Sequence, residues 1–132
     1  MVRNPARVEQ VAASDLLTGQ ERSSLDRVIR RAEETSRFEF SVYLGPAEGA
    51  DTHAYATRLH NRLVVPARSV LILVDPERRA IEVVTGGEVR RIISDAEVSL
   101  AVAAMGDDLA DGNYARGLER AIDLLAQHAH RA

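Results

Sequence analysis

The sequence has no cysteine, no lysine and no tryptophan, and only two phenylalanines and three tyrosines in 132 residues. Without cysteine there is no disulfide scaffold, no thiolate metal site and no thiol nucleophile. All 17 basic residues are arginine, which, with the abundant alanine, is what GC-rich codons favour. The arginines adjoin one another only at Arg30-Arg31, Arg78-Arg79 and Arg90-Arg91. With so few aromatic rings for base stacking and no basic stripe, no nucleic-acid partner is expected. Long apolar runs are missing too: no stretch approaches the roughly 18 residues of a membrane span, so none is expected. The first residues lack the basic start and apolar run of a signal peptide, and the expected location is cytoplasmic.

What is present is ordinary for one globular domain: 45% hydrophobic and 28% charged residues, with a net charge of −3. At this length, folding buries roughly two-thirds of the unfolded chain's surface, enough for a single core. The charge is uneven. Residues 1–93 carry 14 arginines against 13 acids, whereas residues 94–132 carry three against seven.

Residues 1–14 are polar, with an early Pro5, and read as an N-terminal tail; residues 15–132 read as one domain. Leu25, Val28, Ile29 and Ala32 recur at helical spacing, which predicts an amphipathic helix ending near Ser36. Phe38, Phe40, Val42 and Leu44 alternate with polar residues as in a half-buried strand. Asp51-Thr52 can cap a second helix bearing Tyr55, Leu59 and Leu63 and closed by Pro66. The run Ser69–Val74 is too short for a free-standing helix and reads as a strand covered on both faces. A turn at Asp75–Arg79 leads to a returning strand with Ile81 and Val83, and Gly86-Gly87 turns again into an apolar segment at Val89 and Ile92-Ile93, a candidate fourth strand. Ser94 and Glu97 form a capping box for a helix with Val98, Ala101, Val102 and Met105 inward. Gly106 to Gly112 is expected to interrupt it, with Asp111 capping a last helix that carries Tyr114, Leu118, Ala121 and Leu125. The β-α-β unit over 38–74 implies a parallel pair. The expected fold is α/β: one three-layer α-β-α sandwich, with a small mixed sheet of about four strands and helices on both faces.

Several of these segments, in this order and spacing, resemble the TPM domain. They are the run Ser69-Val70-Leu71-Ile72-Leu73-Val74-Asp75, the strand Ala80-Ile81-Glu82-Val83 with its glycine turn, the helix start Ser94-Asp95-Ala96, and Asp111-Gly112-Asn113-Tyr114-Ala115-Arg116-Gly117-Leu118. The likeness covers roughly residues 17–128. It implies an α/β sandwich and a kinship with a thylakoid-lumen acid phosphatase, photosystem repair factors and bacterial envelope proteins. Members commonly carry an export signal or membrane anchor and a Gly-aromatic-Gly loop; this sequence shows neither, and has Thr85-Gly86-Gly87-Glu88 at the loop. Within that family it most resembles a cytosolic bacterial branch of unassigned function.

Asp75, at the exit of the buried strand, and Asp95, in a first helical turn, are the candidate metal ligands. Ligand crevices in α/β sheets open at the carboxyl ends of strands. The resemblance implies acidic metal-binding residues near that edge, and Asp75 and Asp95 match best. The cation would be Ca²⁺ or Mg²⁺, held by oxygen. Both residues also have plain structural readings, as a turn former before proline and as a partner for the helix dipole. Asp107, Asp108 and Asp111 faintly suggest a calcium loop but lack the ligand spacing of an EF-hand, and a solvated turn explains them. His53 and His60 lie two turns apart without a third ligand, and His128 and His130 suit a helix end. Gly86-Gly87 with Arg90 and Arg91 could cradle a phosphate, or simply form a turn. No nucleophile elbow, Walker loop or dinucleotide fingerprint is present.

The reading that follows is an accessory or interaction domain, non-enzymatic, acting on a protein partner that the sequence does not name. The alternative is a weak divalent-metal-dependent acid phosphatase with its cation on Asp75 and Asp95. A purely structural homo-oligomer is the third.

Overall fold

Thr18 opens the first helix with a capping box: its hydroxyl accepts from the Glu21 amide, and the Glu21 carboxylate accepts from the Thr18 amide. The computed structural model describes residues 16–131, so the tail expected over residues 1–14 lies outside it. Helix α1, Gly19–Ser36, buries Leu25, Val28, Ile29 and Ala32, the stripe that the spacing predicts. It stops where Arg37 takes a left-handed conformation (φ 68°) and its amide returns to the Glu33 carbonyl. The Glu33 carboxylate then accepts from the Phe40 amide at 3.0 Å, tying the end of the helix to the start of the first strand.

Strands β1 (Glu39–Leu44), β2 (Ser69–Asp75) and β3 (Ala80–Thr85) form a mixed sheet in the order β1-β2-β3. The first pair is parallel, with Phe40 opposite Val70, and the second antiparallel, with Leu71 opposite Val84. Helix α2, Thr52–Asn61, makes the crossover between the parallel strands; its N-cap is Asp51, whose carboxylate accepts from the Ala54 amide. It ends before Leu63, which packs from the following loop, and Pro66 opens a single 3-10 turn.

The sheet has three strands among the described residues, one fewer than expected. The segment expected to be the fourth is instead a short helix, α3 (Gly87–Arg90), followed by a turn. Val89 and Ile93 stand four residues apart, the Ile93 amide bonds to the Val89 carbonyl at 2.8 Å, and both side chains are fully buried. A strand would have sent Ile92 and Ile93 to opposite faces of a sheet; the helical turn buries Ile93 and leaves Ile92 out.

Helix α4, Asp95–Ala110, keeps the capping box of Ser94 and Glu97 but runs through Gly106 rather than breaking there. A glycine inside a helix costs only about 1 kcal/mol against alanine, which burial of Met105 and Ala101 outweighs. Asp111 therefore ends α4, and Asn113, not Asp111, caps α5 (Tyr114–Arg131): its side chain accepts from the Arg116 amide.

Alternation along the strands sorts the core into two clusters. Phe40, Val42, Leu44, Val70, Ile72 and Val74 pack with residues of α1, α4 and α5, such as Ile29, Met105 and Leu118. Tyr43, Leu71 and Leu73 pack with Ala56 of α2 and with Leu63. Strand β1, expected to be half-buried, is thus covered on both sides; only Glu39 is partly open. Among the described residues no helix is long and apolar enough to cross a membrane.

Candidate functional site

Asp75 closes β2 at its carboxyl end and is 1% exposed. Its two oxygens are taken by backbone amides: Oδ2 accepts from Ala47 at 2.9 Å, and Oδ1 from Glu77 at 3.1 Å and Arg78 at 3.3 Å. The Arg78 Nε lies 3.7 Å from Oδ2. A buried carboxylate is tolerated when charged partners and donors replace its water, and here they do. The same bonds fix the loop after β1 and the turn after β2 at one point. Asp75 is thereby a structural staple.

Asp95 is elsewhere. It is exposed in the first turn of α4, while Asp75 shares a cleft with Gly106, Leu109 and Ala110 from the other end of that helix. Eleven residues of α-helix separate Asp95 from Gly106, about 16 Å. The structure does not bring the two candidate ligands together. Asp107 and Asp108 lie in the last turns of α4, not in a loop. Asp108 faces α5, 3.9 Å from the Arg116 Nε and 3.6 Å from the Arg120 Nε. These arginines offset carboxylates that sit at the unfavourable, negative end of the helix.

The histidines are dispersed. The buried His60 bonds through Nε2 to the Ser69 carbonyl at 2.9 Å, which fixes that nitrogen as the donor. His53 pairs with Glu82 at 3.2 Å, beside the bond from the Thr52 hydroxyl to the same carboxylate, and His128 pairs with Glu97 at 3.0 Å. Among the described residues no group of three or more His, Asp or Glu is arranged to hold a metal. Gly86 is explained by contact rather than by a ligand. A Cβ there would lie 2.0 Å from the Pro66 carbonyl oxygen and 2.4 Å from that of Ala67. The Arg90 guanidinium reaches the Thr85 carbonyl.

The cleft beside Asp75 has a volume of about 320 Å³ and an apolar floor of Val74, Ile81, Leu109 and Ala110. Arg79 and Tyr114 also line it. Residue type marks neither as a site: Arg79 falls in a turn, and Tyr114 lies on the stripe of α5 that packs on the core. The available signal was an arginine at the last position of a hairpin turn, where glycine or asparagine is usual; its φ is indeed 53°. On the α2 side of the sheet, the Tyr55 hydroxyl donates to that of Tyr43 at 3.3 Å, and Tyr43 donates to the Pro46 carbonyl at 2.7 Å. The bond to Tyr43, with burial and the field of Glu48, pushes the Tyr55 phenol up to about 12, against the pull of Arg58.

Comparison with known proteins places this arrangement. The solution structure of the BA42 protein from the psychrophilic bacterium Bizionia argentinensis shares the fold, with a TM-score of 0.77 and 22% identity, over 87% of this chain and 82% of that one. So does the N-terminal domain of a P. gingivalis protein, with a TM-score of 0.77 and 20% identity, over 92% of this chain and 78% of that one. An uncharacterised protein of Mycobacterium tuberculosis strain H37Rv is 33% identical over 103 residues, 78% of this chain. The chain spans 61% of the length of that curated relative. The family described as a domain of unknown function, DUF5130, matches residues 3–126. With nearly the whole sequence inside that match, the chain belongs to the DUF5130 family.

Proposed function

We propose that the chain is a TPM-like, three-layer accessory domain that binds a protein partner without turning over a substrate. The observation that carries this is the outer side of α4. The helix buries only Ala101 and Met105, yet is apolar over most of its length. Leu100 is 62% exposed, Ala103 is exposed as well, and Ile92, in the turn just before the helix, is 41% exposed. A helix apolar around its circumference is normally covered on all sides. The exposed Asp95 and Asp107 stand toward its two ends, so the matching surface is apolar with a basic rim. The TPM-like part of the reading is supported by the order and spacing of the segments from Ser69 to Leu118.

The test compares affinity capture by the wild-type chain with capture by Leu100→Asp and Ile92→Asp, after circular dichroism has shown each to be folded. A stoichiometric partner held by the wild type and lost by both variants is the expected result. An identical set of captured proteins for all three would overturn the assignment.

The second reading, a phosphatase with its Ca²⁺ or Mg²⁺ on Asp75, is favoured by the cleft at the carboxyl end of β2. It requires Asp75 to exchange amide donors for a cation and to find ligands other than Asp95. Hydrolysis of p-nitrophenyl phosphate that depends on added metal and vanishes in Asp75→Asn would replace the first reading with this one.

A further inference from the structure

We propose that the cleft at the carboxyl end of β2 binds a small aliphatic monocarboxylate, with Arg79 holding the carboxylate and the apolar floor holding the tail. The inference stands apart from the partner surface on α4. It rests on four observations.

The cleft, at about 320 Å³, is of the size that takes small ligands, and Val74, Ile81, Leu109 and Ala110 give it hydrocarbon walls. Arg79 lines it, is exposed, and has no side-chain hydrogen bond or ion pair among the described residues. It is held at φ 53°, a conformation that glycine adopts without strain and arginine does not. Tyr114, at the start of α5, lines the same cleft half-buried, and its hydroxyl likewise has no partner among the described residues. A guanidinium and a phenol, both free to donate, over an apolar floor suit an oxyanion with a hydrocarbon tail.

The surrounding charges narrow the class. Asp75 lines the cleft but is already hydrogen-bonded on both oxygens by amides and has Arg78 beside it, so its charge is largely compensated. Glu77, Asp107 and Asp111 are exposed on the segments that form the rim. A single unpaired arginine within that negative field balances one charge, not two, which disfavours a phosphate dianion. Carboxylate geometry also matches the two parallel N–H donors of one guanidinium.

The test is an amide NMR titration of the full chain with sodium hexanoate, 1-hexanol and hexyl phosphate. Saturable shifts at Ala80, Ile81, Gly106 and Gly112 with hexanoate, weaker with the other two, are expected. Arg79→Gly should weaken hexanoate binding on the order of tenfold or more, the scale of a lost charged hydrogen bond. Because glycine relieves the positive φ, this variant should melt no lower than the wild type, so lost binding is not lost folding. Tyr114→Phe should weaken binding less. Equal shifts with hexanol, or hexanoate binding unchanged in Arg79→Gly, would overturn the assignment, as would no saturable shift at tens of millimolar hexanoate. Tighter binding of N-acetyl-alanyl-leucine than of hexanoate would also overturn it, pointing to a polypeptide carboxyl terminus instead.

Discussion

On the face of the sheet covered by α1, α4 and α5, Phe40, Val42, Leu44, Val70, Ile72 and Val74 join an apolar cluster that reaches from Leu25 to Ala126. On the face toward α2 the cluster is far smaller, and every strand adds a polar group: Ser41 from β1, Ser69 and Asp75 from β2, Glu82 from β3. Apolar burial scales with area and has no direction, so the first face supplies the bulk of the stabilisation. Hydrogen bonds have direction, so the second face fixes positions. Asp75 sets two loops, Glu82 holds the first turn of α2 through Thr52 and His53, and His60 meets the start of β2. The thick face makes the domain stable, and the thin one decides where its connecting segments lie.

The largest expected effect breaks the platform that both faces share. Gly86→Ala drives a Cβ into the Pro66 and Ala67 carbonyls, backbone atoms that cannot swing aside. It should cost about 4 kcal/mol, read as a fall in the urea midpoint, and a midpoint within error of wild type would refute the close-approach account. Next, Ile72→Ala and Leu73→Ala remove neighbouring side chains of β2, each 0% exposed, from opposite faces. The first should cost about 3 kcal/mol and the second about 2, because the single helix over Leu73 can settle into the space. Equal losses would erase the contrast between the faces.

Asp75→Asn removes an acceptor from a site of three amides and should cost about 2 kcal/mol. Hydrogen exchange at Ala47, Glu77 and Arg78 should accelerate together if one carboxylate holds all three. Ser41→Ala should leave stability within about 0.5 kcal/mol of wild type or raise it, since the buried Ser41 hydroxyl has no hydrogen-bond partner among the described residues. A clear loss would mean that the hydroxyl is bonded after all. A separate effect lies at alkaline pH. With its pKa raised to about 12 in the folded chain against the ordinary 10, Tyr55 contributes stability that is complete below pH 10 and lost as pH rises toward 12. Ultraviolet titration should show a late tyrosine step, and Tyr55→Phe should remove it.

The strands and long helices were legible because burial writes a period into the sequence. Leu25, Val28, Ile29 and Ala32 could serve only one face of a helix, and Ser69–Val74 only a strand covered on both sides. The segment at Val89 to Ile93 was not legible, because five residues carry less than two turns of any period. Gly106 misled for a related reason: local propensity favours a break there, and packing of Met105 overrules it. Asp75 was recognised as special, but its partners Ala47, Glu77 and Arg78 are backbone amides and leave no trace in residue type.

The sequence by itself determined the apolar stripes, the two capping boxes and the strand pairing implied by a β-α-β unit, since these follow from periodicity and from bonds spanning three residues. Only the tertiary structure decided that Asp75 is tied down while Asp95 stands at the far end of α4, and that Arg79 and Tyr114 share a cleft. Those relations join residues tens of positions apart, and what sets them is how the helices seat on the sheet, which depends on the whole core at once.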